Sequence, residues 1–326
     1  MSLFRTATAP GKVVLSGEYA VLDGAAAVCM AINRRARVSL KPAHESAGSV
    51  TAPGFNDAVG RFRIADGELH WLADSASFAV VDAAWQACSV RPAGAFDLVL
   101  DSSAFVDSTS GNKLGIGSSA AIVVALCAAL GAEGGTTIDA FTAHRNLHGG
   151  SGSGVDVACS LHGDLLEYRQ AEQQSSGLEW PHGLKFRLIW TGVAVSTKDK
   201  LMQLQQGASL PSRAQLTQAA ESAARAWRNA DAAALVEQYR DYTERLLHFS
   251  DDHRLGIFDA GHRELLDTAS SSGLVYKPCG AGGGDIGIVL GTDDARLDDF
   301  VRNLPLQFSM LDCALDRDGL IIEEQT

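Results

Sequence analysis

The sequence predicts a chain of α+β or α/β class. Strand-like apolar runs and helical runs interleave in both halves, and 326 residues are enough for two domains or one large one with a real core. Lys12 to Ser16, Ala26 to Ile32 and Ala36 to Leu40 read as strands, the last by its period-2 alternation. Ser77 to Cys88 places Phe78, Val81 and Trp85 at helical spacing, and Phe96 to Leu100 is again strand-like. Asp101 to Asn112, rich in Ser, Thr, Asp and Gly, reads as a mobile surface loop with the composition of a lid. Ser118 to Leu130 reads as a buried helix opened by serines, which favour N-caps. A further helix is expected from Ile138 to about His148, ended by the run Gly149 to Gly154.

Gln170 to Gly183 is polar, with Gly and Pro, and marks the expected boundary between domains at 1–182 and 183–326. Beyond it Leu184 to Trp190 is a strand, Ser212 to Phe249 an Ala-, Glu- and Arg-rich helical region, and Gly261 to Ser271 a helix. Ile286 to Leu290 is a short strand, and Gly319 to Glu323 a weaker one.

The net charge of -12 disfavours nucleic acid and anionic membrane surfaces as partners. It also repels a phosphorylated ligand, so a site for one needs its own donors and cations. Six cysteines without a C-x-x-C pair read as reduced thiols. The first residues lack a long apolar run, so no signal peptide is expected. The longest apolar run, Ala120 to Leu130, falls short of the roughly 20 residues of a membrane span, and the expected location is the cytoplasm.

Four segments carry chemistry. Lys113-Leu114-Gly115-Ile116-Gly117-Ser118-Ser119-Ala120-Ala121 is a glycine turn running into a helix, which leaves backbone N–H groups unpaired at the positive end of the helix dipole. That arrangement suits an anion, and a serine there can reach a phosphate or its Mg²⁺; the same residues also suit a plain serine-capped helix. Its spacing is neither that of a P-loop nor that of a dinucleotide fingerprint. Pro10-Gly11-Lys12 to Leu22 sets Lys12 and Glu18 around a strand that breaks at Gly17. His148 to Ala158 is glycine-rich and leads into Asp156 at a helix start, where the carboxylate either caps the helix or stands near an acceptor oxygen. His144 and His148 have i, i+4 spacing but no third ligand, which argues against zinc. Gly280 to Asp285 is a third glycine run, read either as a hairpin tip or as a close approach to another loop.

In this order the segments resemble the GHMP family of small-molecule kinases. Within it, Ser16-Gly17-Glu18-Tyr19-Ala20-Val21, Gly152-Ser153-Gly154-Val155-Asp156-Val157-Ala158 and Trp190-Thr191-Gly192-Val193-Ala194-Val195-Ser196-Thr197 are similar to the phosphomevalonate kinase branch. Cys279 stands where the third motif usually has serine, and His148 and Gly150 replace the usual Gln and Lys. The resemblance implies a two-domain α+β GHMP kinase fold with the active site in the cleft between the domains. It implies ATP and Mg²⁺, with nucleotide phosphates on Lys113, Gly115, Gly117, Ser118, Ser119 and Ala120, and Ser119 contacting the metal. It implies Lys12 and Asp156 as catalytic residues. The acceptor, 5-phosphomevalonate, would lie among Lys12, Glu18, Tyr19, Ser153, Gly154, Ser196, Thr197, Lys198 and Gly282, in a monomer or homodimer. The alternatives are a sibling kinase acting on mevalonate or another alcohol, and a catalytically silent nucleotide-binding regulator. Lys12, Lys113, Lys198 and Lys200 are candidates for cancelling the charge of two anions.

Overall fold

The structure is a computed structural model. It describes residues 4–92, 94–131, 136–150, 152–206 and 210–325, apart from the side chains of 136–138, 197, 198, 205, 206 and 325. Two β-sheets organise these residues. The larger follows the order β13 (Ile321–Gln325), β1 (Phe4–Ser16), β2 (Ala27–Pro42), β6 (Phe96–Asp101), β3 (Gly48–Ala52), β4 (Asn56–Ala65), β5 (Glu68–Ala73), with β7 (Leu165–Arg169) and β8 (Gln174–Leu178) branching from β2. Its spine is β1 (Phe4–Ser16) paired antiparallel with β2 (Ala27–Pro42). Pro10 cannot donate to a ladder, and it sits where the register shifts between Pro10 and Gly11. Ser160 Oγ donates to the Pro10 carbonyl at 2.8 Å, so the irregularity carries no lost hydrogen bond there.

Helix α2 (Ser118–Leu130) is buried at every position from Ala120 to Leu130, as expected of a helix that is apolar all round. It lies against β1 and β2 and contacts α1 (Ala79–Ala87), α3 (Thr136–Leu147) and α4 (Val155–His162). Its N-cap is Gly117 in the left-handed region (φ 87°) with no side-chain cap, so the serines open the first turn but do not cap it. That correction leaves their hydroxyls available for other partners.

The smaller sheet has the order β10-β11-β9-β12, from β9 (Lys185–Trp190), β10 (Val275–Pro278), β11 (Ile286–Gly291) and β12 (Ser309–Leu311). The helical region expected over 212–249 is two helices, α6 (Pro211–Asn229) and α7 (Ala232–Asp252). Ala230 in the left-handed region ends the first, and Asp231 caps the second by accepting from Ala233 and Ala234. Helix α5 (Thr197–Gln206) precedes them, and α8 (His262–Ser271) and α9 (Asp294–Arg302) cover the small sheet.

Several strands differ from expectation. The two runs expected around 26–40 are one strand, β2. β6 (Phe96–Asp101) is as read, but β3 (Gly48–Ala52), β4 (Asn56–Ala65) and β5 (Glu68–Ala73) are additional to the strands expected. β7 (Leu165–Arg169) and β8 (Gln174–Leu178) form a hairpin on β2, so the polar stretch 170–183 contains a strand of the larger sheet. The last strand, β13 (Ile321–Gln325), returns to pair with β1.

Candidate active site

A cavity of about 310 Å³ opens among five segments: β1 and its following turn, the start of α2, the start of α4 with the end of α3, the β10–β11 connection, and the stretch that carries Val195 and Leu201. Lys12 on β1 is its central cation. The Lys12 backbone N–H donates to the Ile116 carbonyl at 2.9 Å, lacing the glycine turn to β1. Gly115 (φ 73°) and Gly117 (φ 87°) both require left-handed backbone. A Cβ at Gly117 would stand 2.9 Å from Lys12 Cγ, and one at Gly115 would stand 2.2 Å from Asp285 Cγ. The turn is wedged between Lys12 and Asp285, which leaves no room for side chains. Ser118, Ser119 and Ala120 line the cavity at the first turn of α2, where backbone N–H groups lack intrahelical acceptors.

Asp156 is the second residue of α4, which follows Gly154 in the left-handed region, and its Oδ1 lies 3.2 Å from Lys12 Nζ. Burial pulls the Lys12 ammonium down, but the Asp156 charge and hydrogen bond outweigh it, with Asp285 adding to them, and the pKa rises above its ordinary value. Lys12 therefore stays charged at physiological pH. Asp285 is pushed up by burial, against an opposing hydrogen bond from Val195 N–H and the Lys12 charge. His144 is lowered to about 4, mainly by burial, so it is neutral at pH 7. The rings of His144 and His148 lie 4.5 Å apart, and His148 Nε2 is 3.0 Å from Ser119 Oγ.

Glu18 lines the cavity but its carboxylate faces inward. It forms an ion pair with the buried Lys277 of β10 and accepts from Tyr242 Oη at 2.7 Å. Tyr242 Oη also accepts from Gly17 N–H at 2.8 Å, so α7 grips the turn that ends β1. Tyr19 (φ 60°) donates from Oη to the Ala281 carbonyl at 2.6 Å, joining the first segment to the third. The Trp190–Thr197 segment is fastened to the same place. Thr191 N–H donates to the Asp285 carbonyl, Asp285 N–H to the Val193 carbonyl, and Val195 N–H to Asp285 Oδ1.

Lys12, Glu18, Tyr19, Gly115, Gly117, Ser118, Ser119, Ala120, Ser153, Gly154 and Asp156 all line the one cavity. Others lie elsewhere. Lys113 stands 4.9 Å above the Phe55 ring, Ser196 accepts from Asp199 N–H, and Gly282 is buried against Ile257. Thr197 and Lys198 open α5, and their side chains lie outside the described residues. Lys200 donates to the Leu255 and Gly256 carbonyls. His144, Val195 and Asp285 also line the cavity; each lies in a stretch the sequence singles out, but none is among the site residues expected from it. Burial pushes the Cys279 thiol up to about 11, so it is neutral there.

Among the described residues no group of three or more His, Cys, Asp and Glu could hold a metal by itself. The Ser119 hydroxyl in the cavity nonetheless fits a Mg²⁺ brought on nucleotide phosphates, because Mg²⁺ takes oxygen ligands and usually few from protein. No helix among the described residues is long and apolar enough to cross a membrane.

No protein-family model matches the chain. The phosphomevalonate kinase of Streptomyces sp. (strain CL190) is 29% identical over 342 aligned positions, covering 89% of this chain and 90% of that protein. The mevalonate kinase of Bos taurus is 28% identical and covers 87% and 85%. The solved structure of Streptococcus pneumoniae phosphomevalonate kinase in complex with phosphomevalonate and AMPPNP superposes with a TM-score of 0.74 at 18% identity, over 95% of this chain and 99% of that one. The architecture is therefore that of the GHMP kinases, and the similar curated proteins are kinases of mevalonate or phosphomevalonate.

Proposed function

We propose that the protein is a phosphomevalonate kinase, transferring the γ-phosphoryl group of ATP to 5-phosphomevalonate to give 5-diphosphomevalonate and ADP. The observation that carries the choice of acceptor is the Trp190–Thr197 segment. It bears the phosphomevalonate kinase pattern, and its fastening to Asp285 sets Val195 at the cavity. The relative matched over 89% of this chain carries the same name. This reading divides the chain at 1–182 and 183–326, with the cavity between the parts and β13 returning to the first.

In the reaction a phosphate oxygen of the acceptor attacks the γ-phosphorus. The bond to the β,γ-bridging oxygen breaks, and ADP leaves with that electron pair. Such a transfer needs positioning and charge neutralisation more than covalent help. The N–H groups at the α2 start and the Ser118–Ala120 turn would hold the β- and γ-phosphates. Ser119 would contact the Mg²⁺ carried by ATP, whose contribution is charge neutralisation at those phosphates. Lys12 would neutralise charge between donor and acceptor. An acceptor phosphate with a second pKa near 6 is already largely dianionic at neutral pH. Asp156 therefore has no proton to remove, and its role is to orient Lys12 and the substrate. The test is ADP release with mevalonate and with 5-phosphomevalonate, side by side. Turnover of mevalonate alone would overturn the branch and leave the fold as it is.

A further inference from the structure

Asp285 closes the glycine run of the β10–β11 connection in a disfavoured conformation. In the stretch 280–285, Gly280, Gly282, Gly283 and Gly284 have positive φ, and Asp285 (φ 55°) is the one residue with a side chain that shares it. Glycine adopts that backbone without a Cβ clash, whereas Asp is tolerated there at some cost. Burial adds a second cost by opposing ionisation of the carboxyl. A further glycine would avoid both, so the strain points to what the side chain touches.

It touches two segments that are far apart in the chain. Oδ1 accepts from Val195 N–H at 3.3 Å. The Asp285 backbone holds the same segment, accepting from Thr191 N–H at 2.9 Å and from its Oγ1 at 3.1 Å, and donating to the Val193 carbonyl at 2.6 Å. On its other side the carboxyl presses on the turn before α2: a Cβ on Gly115 would stand 2.2 Å from Cγ and 2.6 Å from Oδ1. One oxygen therefore faces both the Val195 amide and Gly115, and neither segment can shift without moving the carboxyl. Contacts packed that closely pass a displacement on instead of absorbing it. We propose that Asp285 is a positioning residue that couples the nucleotide side of the cavity to its acceptor side. Phosphates seated on the turn at Gly115 to Ala120 steady the carboxyl, and the carboxyl steadies the Val193–Val195 segment. The inference rests on the reading of the cavity as a site for nucleotide and acceptor, and it is the same for either acceptor.

The test is hydrogen exchange in a peptide containing residues 191–196, read by mass spectrometry with and without AMPPNP and Mg²⁺, no acceptor being present. It compares the wild type with Asp285→Gly and Asp285→Asn. Both replacements suit a positive φ. Gly removes the side-chain contacts, whereas Asn keeps the size and an oxygen that can accept from Val195. In the wild type AMPPNP should slow exchange in this peptide by about tenfold, a coupling of ordinary size. The slowing should vanish in Asp285→Gly and persist in Asp285→Asn. General destabilisation would speed exchange throughout the chain, and it would not cancel the difference that AMPPNP makes in this one peptide. Wild-type exchange unchanged by bound AMPPNP would overturn the inference, and that comparison needs no variant to fold. Slowing that survives in Asp285→Gly, or is lost equally in Asp285→Asn, would overturn it as well. ADP release by a wild type whose exchange AMPPNP leaves unchanged sinks this inference alone. Slowed exchange without ADP release from either acceptor sinks the kinase reading and leaves the coupling standing. A wild type that binds no AMPPNP sinks both.

Discussion

The Lys12–Asp156 pair shows how a single contact can be arranged for positioning. Lys12 is almost buried, yet the carboxylate 3.2 Å away keeps it charged, and its aliphatic stem packs under Gly117. Replacing Lys12 with Met should lower kcat by a factor of about 10²–10³, the scale of losing one preorganised electrostatic group. Asp156→Asn should lower kcat while leaving the shape of the pH–rate profile intact, because the dianionic acceptor needs no base. Loss of the limb that rises with pH in Asp156→Asn would instead identify Asp156 as a base, and so an alcohol acceptor. Another residue-scale prediction concerns His262, which is fully buried. The Gly284 carbonyl can only accept, so His262 Nε2 carries the proton (2.8 Å) and Nδ1 accepts from Tyr276 Oη (2.6 Å). Burial lowers His262 to about 4. Between about pH 6.5 and 4 the unfolded chain therefore binds more protons than the folded one, and stability falls with falling pH by about 3 kcal/mol from this group. Denaturation of wild type and His262→Asn across that range checks it: the variant should show a shallower dependence.

At the scale of elements, the site is assembled by three connections made beneath it. β1 ends at Gly17 and Glu18, where Lys277 of β10 and Tyr242 of α7 close a buried network. Tyr19 and Ala281 join the turn to the glycine run, and Asp285 joins that run to Gly115 and to the Val193–Val195 segment. Removing one member of a buried ion pair strands the other charge. Lys277→Met should cost about 3–5 kcal/mol in chemical denaturation, and the double variant Glu18→Gln with Lys277→Met should cost less than that single one. Equal or additive losses would mean that the pair does not act as a unit. The glycine turns and Lys12 were legible in the sequence because a backbone that must take positive φ under close contact admits little but glycine. The inward turn of Glu18 was not, because Lys277 and Tyr242 are more than two hundred residues away along the chain. β8 was illegible for another reason: its side chains are largely exposed, so no apolar alternation marks it.

For the whole molecule, the two sheets are not consecutive halves of the chain. The small sheet is built from residues 185–311, and the chain then returns to lay β13 along β1. Arg5 pairs with Glu324 at 2.7 Å and reaches the carbonyls at the end of α2, so the returning strand ties both ends of the chain to the central helix. Ending the chain before Ile321 would bare the edge of β1, a strand otherwise buried along its length. Such a truncation should lower the thermal midpoint and promote self-association, read by light scattering during melting; an unchanged midpoint would contradict that role. The polar composition of 170–183 suggested a boundary, while the return of β13 had only the weak strand 319–323 to announce it. Net charge acts at this scale too: at -12, an anionic ligand in the cavity depends on Lys12 and the α2 amides to offset the field locally. The most direct measurement is ADP release by the purified protein with ATP and Mg²⁺, mevalonate and 5-phosphomevalonate being supplied in separate reactions. ADP formation with 5-phosphomevalonate and none above background with mevalonate is the expected result; turnover of mevalonate alone, or of neither, would contradict it.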